Sequence, residues 1–287
     1  MNYRHAFHAG NFADVVKHAV LTRLMVHLAS KPAAYRAIDT HAGAGLYDLF
    51  GPEAARSGEW RDGIARLMQP YRDGGLDAAC RPLLAPYLET VAALNCAQRL
   101  ATYPGSPALV RAFLRAQDRL VACELEPNAA AALKRNFAQD RRIKVIAIDG
   151  WTALNAYVPP KERRGLVLID PPFEERGEFP RLAQGLEAAH HKWANGTYLL
   201  WYPIKARDEP DTLARRLRRS GIGKILRAEV SIAPPGDPSR LSGCGLIVVN
   251  PPWRLEQELQ VMLPTLAAIL AGGDRGGSRI DRISNEF

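Results

Sequence analysis

Asp170-Pro171-Pro172-Phe173 places a carboxylate, two rigid prolines and an aromatic ring in one run. The five residues before it, 165–169, are apolar without a break and predict a short buried strand. Ligands of open α/β sheets bind outside the carboxyl ends of their strands, so Asp170 stands where chemistry is expected. That set of groups suits the planar amino group of a nucleobase. Such an amine is a poor nucleophile because its lone pair is delocalised into the ring. Hydrogen bonds from its two N–H groups to the Asp170 carboxylate and the Pro171 carbonyl favour a pyramidal nitrogen, its lone pair aimed at a methyl donor. The carboxylate also lies where positive charge develops, and no strong base is needed to remove the last proton. Phe173 offers a stacking face, worth roughly 1–3 kcal/mol per base. The expected chemistry is methylation of an exocyclic amine. The same tetrapeptide occurs as an ordinary turn, and only its place after a buried strand and after cofactor elements raises it above that.

A second copy, Asn250-Pro251-Pro252-Trp253, follows another apolar run at 246–249. It comes last in the chain, on a strand expected to enter antiparallel, so its carboxyl end falls at the opposite edge of the sheet. Its expected role is a turn that starts the final helix, with Trp253 packed.

Three earlier strand ends carry groups for a methyl donor. The first runs into Asp39-Thr40-His41-Ala42-Gly43-Ala44-Gly45, where Gly43 and Gly45 let backbone approach a ligand. A dinucleotide fingerprint wants a third glycine at position 48, which is Asp48, so NAD and FAD are disfavoured. The second ends in Glu124, an acceptor for both hydroxyls of a ribose. The third ends in Asp149-Gly150, where a carboxylate can take an adenine amino group. Each acid alone reads as a loop or capping residue. Together with Asp170 they describe a pocket for S-adenosylmethionine.

The elements that must position these residues alternate along the chain. Residues 11–30 predict a helix, with an i+4 stripe at Val16, Val20, Leu24 and Leu28 and Asn11 as its cap. Strands are expected at 35–39, 120–124, 143–148, 165–169, 197–202, 225–232 and 245–250. Helices are expected at 127–139, 179–194, 208–220 and 255–270. The alternation predicts an α/β fold of the class I Rossmann-like methyltransferase type, a mainly parallel seven-stranded sheet with helices on both faces. About 75 residues separate Gly45 from the strand at 120, where ~30 make an ordinary strand–helix–strand step. Residues 50–100 are therefore read as an inserted helical subdomain, and 1–49 with 101–287 as the methyltransferase domain. The tail after Gly272 is expected to be loosely ordered.

The net charge of +8 favours a polyanionic partner. Arg215, Arg216, Arg218, Arg219, Lys224 and Arg227 crowd one stretch, read equally as a solvated face or an RNA-binding face. The four cysteines form no C-x-x-C pair, so free thiols are expected and no metal site. No targeting segment or membrane span is read, and a cytoplasmic, monomeric protein is expected.

The segment His8-Ala9-Gly10-Asn11-Phe12-Ala13-Asp14-Val15-Val16-Lys17-His18 is preceded by Tyr3-Arg4-His5. With Asp39 to Gly45, Tyr103-Pro104-Gly105-Ser106-Pro107 and both Pro-Pro motifs, it closely resembles the RlmJ family over nearly the whole chain. These are bacterial 23S rRNA adenine methyltransferases that use S-adenosylmethionine. The resemblance implies adenine 2030 as target. It also implies a cofactor pocket of His18, His41, Ser106, Glu124, Asp149, Gly150 and Asp170. Tyr3 would contact the RNA, and His5 and Lys17 would lie near the target adenine, with Asp170 as the catalytic acid group. Without it, Lys17 reads as a surface lysine and His5 and His18 as solvated or capped. The family commonly has Tyr at Phe173; Phe keeps the stacking face and loses the hydroxyl. A DNA adenine methyltransferase and a non-catalytic RNA-binding protein are the competing readings. The first wants a larger recognition region than ~50 inserted residues. The second leaves the acids at every strand end unexplained.

Overall fold

The computed structural model describes residues 4–96, 99–236, 240–273 and 276–284; Tyr3 lies outside them. In chain order the elements are a 3-10 turn His5–Phe7, α1 Phe12–Ala29, β1 Arg36–Asp39, β2 Leu46–Asp48, α2 Pro52–Ser57, a second 3-10 turn Glu59–Arg61, α3 Ile64–Arg72, α4 Arg81–Ala93, β3 Thr102–Pro104, α5 Ser106–Phe113, β4 Arg119–Glu124, α6 Pro127–Phe137, β5 Ile143–Ala147, α7 Gly150–Tyr157, β6 Gly165–Ile169, α8 Glu178–Lys192, β7 Thr197–Ile204, α9 Asp208–Arg219, β8 Ile225–Ser231, β9 Gly243–Val249, α10 Leu255–Ala271 and β10 Gly277–Arg282.

One sheet of eight strands, not the expected seven, runs in the order β10-β8-β9-β7-β6-β1-β4-β5. Strands β5, β4, β1, β6 and β7 are parallel neighbours. β9 enters antiparallel between β7 and β8. The extra strand is β10, in the tail expected to be loose. It pairs antiparallel with β8 along its whole length. Arg227 of β8 clamps Asp281 at 2.9 Å through two donors. Its sequence, Gly-Ser-Arg-Ile-Asp-Arg, has no apolar run, which is why a hydrophobic reading passes over it.

Period-2 alternation divides the strands between two cores. Ala37, Leu120, Leu166, Leu168 and Leu199 face one cluster with α1, α3, α4, α5, α6 and α10. Ile38, Val121, Val167, Ile169 and Leu200 face the other with α7, α8 and α9. Helices α2 to α4 fall between β2 and β3, which pair as a separate two-stranded ribbon. α1 is therefore covered on several sides, by the sheet, α4, α5 and α10. From Phe12 to Met25 only Arg23 is not buried. A helix apolar nearly all round belongs inside. Asp14, Lys17 and His18 are carried in with it, so the default alternative of a surface Lys17 does not hold.

Trp253 is also corrected: it is 72% exposed rather than packed. The crowded basic stretch is not one face either. Arg227 lies buried in β8, Arg216 pairs with Glu187 at 2.7 Å, and Arg218 donates to the Ile283 carbonyl. α9 follows β7, so its acidic first turn lies at the carboxyl edge of the parallel strands and its basic last turn at the other.

Candidate active site

Two cavities meet at the carboxyl edge of the parallel strands. One, of about 470 Å³, lies against the loops after β1 and β4. The other, of about 800 Å³, lies against the loop after β6 and the end of β7. His5, Lys17, Asp170 and Pro172 belong to the walls of both.

α1 supplies the wall between them. Asn11 caps it, its side-chain oxygen accepting from the Asp14 N–H at 2.9 Å. Asp14, at the third helical position, takes the Gly10 N–H at 3.0 Å and His5 Nε2 at 2.9 Å on one oxygen. Its other oxygen accepts from Lys17 Nζ at 2.8 Å. The same ammonium donates to Asp170 Oδ2 at 2.5 Å. Asp170 Oδ1 has no hydrogen bond among the described residues. Burial alone would lower Lys17, but the Asp14 and Asp170 carboxylates hold it well above the ordinary lysine range. Burial likewise pushes Asp14 up, and the charges of His5 and Lys17 outweigh it, holding Asp14 well below the usual carboxylate range. Sequence reasoning missed Asp14, since an acid three residues past an asparagine cap looks like ordinary helix initiation.

His18, one residue on, is 1% exposed. Its Nδ1 bonds the Tyr103 hydroxyl at 2.7 Å, which meets the Tyr87 hydroxyl at 2.9 Å. Its Nε2 is buried without a hydrogen bond among the described residues, with Asp14 Oδ1 3.9 Å away. Burial pushes its pKa down to about 3, so the ring is neutral at pH 7. His41 is likewise lowered to about 4 by burial; Thr40 Oγ1 lies 2.8 Å from its Nδ1.

Of the residues expected at the cofactor site, the smaller cavity takes in His18, His41, Gly43, Ser106, Glu124 and Asp170. Glu124 Oε2 accepts the Gly43 N–H at 2.7 Å and Oε1 the Glu126 N–H at 2.8 Å. Each oxygen keeps one lone pair directed elsewhere. Ser106 donates to Asp39 at 2.6 Å. Asp39 is fully enclosed; burial raises it to about 7, with Asp170 adding to the rise.

Gly45, Asp149 and Gly150 are not among the residues of that wall. Gly45 has φ +77°, and a Cβ there would stand 2.4 Å from the Phe137 ring. Asp149 caps α7, accepting from the Thr152 N–H at 2.8 Å. Gly150 packs under His41, where a Cβ would lie 2.4 Å from Nε2. The larger cavity holds Pro171 and Phe173. Phe173 takes a left-handed φ of 52°, and its ring meets Phe179 and Trp201 edge-on at 4.9 and 5.7 Å. Among the described residues no cluster of His, Cys, Asp or Glu could hold a metal ion, and no helix is long and apolar enough to cross a membrane.

Residues 31–284 match the model of a family described as ribosomal RNA large subunit methyltransferase D, RlmJ. The chain is 39% identical over 286 residues to ribosomal RNA large subunit methyltransferase J of Escherichia coli strain K12, covering all of both chains. It is 36% identical, again over full length, to the protein of the same name from Haemophilus influenzae. A solved structure from Legionella pneumophila has 33% identity and a TM-score of 0.85, covering 96% of this chain and 98% of that one.

Proposed function

The chain belongs to the RlmJ family of ribosomal RNA large subunit methyltransferases. From that premise we propose transfer of a methyl group from S-adenosylmethionine to the exocyclic amino group of an adenine in 23S rRNA, by resemblance adenine 2030. The observation that carries this reading is the meeting of two cavities at Lys17 and Asp170.

The residues of the smaller cavity fit the donor. Its volume lies within the range of small-ligand sites. The remaining lone pairs of Glu124 suit a ribose diol, Ala129 and Ala132 give apolar wall, and His18 Nε2 is a buried polar atom in want of a partner. S-adenosylmethionine would supply an electrophilic methyl carried on a sulfonium.

The chain's own residues then do three things. Phe173 and Pro172 hold the extruded base flat in the larger cavity. Asp170 Oδ1, left open while Lys17 occupies Oδ2, accepts one amino N–H and turns the nitrogen lone pair toward the donor. The Asp14–Lys17–Asp170 chain combines two carboxylates with one ammonium. The Asp170 carboxylate therefore lies beside the nitrogen as it becomes positive. Lys17 keeps Asp170 in one orientation, and His5 steadies Asp14 behind it. Tyr3, directly before this segment, is proposed as an RNA contact.

Incubation with methyl-labelled S-adenosylmethionine and deproteinised 23S rRNA, followed by nucleoside analysis, tests the reading. Label is expected in N6-methyladenosine. Label in another nucleoside, or none, would sink it.

A further inference from the structure

The Asn250-Pro251-Pro252-Trp253 motif takes no part in this chemistry. Because β9 runs antiparallel, the motif emerges at the amino-terminal edge of the parallel strands. It is firmly held there. Asn250 has φ 52°, its N–H donates to the Lys224 carbonyl, and its side-chain amide donates to the carbonyls of Ala194 and Gly196 at 2.7 and 2.8 Å. The turn so fixed presents Trp253 to solvent, the most exposed large apolar side chain among the described residues. The Arg254 guanidinium lies 4.5 Å from its ring centroid. The fixed turn therefore offers solvent one flat aromatic face beside a guanidinium, the kind of platform on which a base can stack.

The same edge is basic. Lys161 and Arg163 precede β6, Arg141 precedes β5, and Lys31 follows α1. None of these four forms an ion pair among the described residues. The acids nearby are already taken: Asp118 by Arg115, Asp140 by Arg142 and Glu162 by Arg36, each within 2.7 Å. Glu258 and Glu256 of α10 pair with Arg23 and Arg282. Crowding is visible at Arg164, lowered by burial and by the neighbouring Arg115 charge. Arg164 donates to the Leu28 and Ala33 carbonyls at 3.0 and 2.9 Å, and Arg23 of α1 pairs with Glu258 of α10 at 2.7 Å, which ties the basic row to the start of α10 beside Trp253.

We propose that this edge is a second RNA-contact surface, the basic row holding phosphates and Trp253 stacking on one unpaired base. The proposal rests on the rRNA reading above and adds a separate footprint to it. Along β6 the edge lies roughly 20 Å from Asp170, so it meets a different segment of the RNA from the target nucleotide. Basic side chains interleaved with an aromatic platform are how proteins grip unpaired RNA.

The test uses Trp253→Ala and the double variant Lys161→Gln/Arg163→Gln, all at exposed positions and checked for fold by circular dichroism. Probes are a transcript of several hundred nucleotides of large-subunit rRNA and a short hairpin carrying the target adenine. Trp253→Ala is expected to weaken binding of the long transcript about ten-fold. The double variant should flatten the salt dependence by roughly 0.7–0.9 for each cation removed. Methylation of the hairpin should keep its kcat and KM. Long-transcript affinity within about twofold of wild type in both variants overturns the surface, and so does equal weakening on the hairpin. If wild type methylates neither RNA while the affinity changes appear, the proposed function fails and the surface stands.

Discussion

Lys17 Nζ lies 2.5 Å from Asp170 Oδ2, across 153 residues of sequence, and 2.8 Å from Asp14 Oδ1 on its own helix. The start of α1 and the end of β6 are thus joined by one buried ammonium. The chain brings its first helix to the carboxyl edge of the sheet through that contact.

Asp170→Ala should keep the fold, because Lys17 retains Asp14. It should lower kcat by about a hundred- to a thousand-fold, the usual loss for one group that stabilises developing charge. Single-turnover transfer of labelled methyl measures this. Full turnover in the variant removes Asp170 from the chemistry.

Lys17→Met leaves Asp14 buried beside His5 with its ammonium gone. Breaking a buried pair costs about 3–5 kcal/mol. In the double variant Asp14→Asn/Lys17→Met the loss should be well below the sum of the singles, measured by denaturant unfolding. Additive losses would show that the two groups act independently.

Glu124→Gln keeps the shape of the side chain but offers only one acceptor oxygen to Gly43, Glu126 and the donor. Titration calorimetry should show S-adenosylmethionine bound at least about ten-fold more weakly. An unchanged Kd would take Glu124 out of the pocket.

His18 sets an acid limit on stability. It titrates at about 3 when folded against ~6.5 when unfolded, so in that window the unfolded chain binds a proton that the native state does not. Stability from this site is present above pH ~6.5 and is lost as the pH falls toward 3. The stability gap between wild type and His18→Asn should narrow from pH 6.5 to 4. A constant gap contradicts the assignment.

Asp39 works in the opposite sense. Its folded value of about 7, against ~3.9 unfolded, means the native state keeps a proton that the unfolded chain has lost. Stability therefore falls as the pH rises from about 4 to 7. Asp39→Asn should gain on wild type over that window in thermal melts. Parallel pH profiles would refute this.

The strands bearing Glu124 and Asp170 were legible because they are unbroken apolar runs closed by an acid. The helix Ser106–Phe113 was passed over, although Ser106-Pro107 is a helix start with proline in its first turn. Strand β10 gave no hydrophobic signal because an edge strand held by Arg227 and Asp281 needs none. The default reading of Lys17 as a surface residue fails for a different reason. A four-residue stripe implies one buried face, but coverage by α4, α5, α10 and the sheet depends on contacts far along the chain. The antiparallel course of the strand before Trp253 and its place at the opposite edge were legible; only the packing of the ring was not, since a large apolar side chain defaults to burial.

The shared wall of His5, Lys17, Asp170 and Pro172 has a kinetic meaning. With a methyl donor in one cavity and a base in the other, as proposed, the two would adjoin only at these four side chains, and the rest of each wall would serve one partner alone. Order-of-addition kinetics would then find donor and RNA binding in either order.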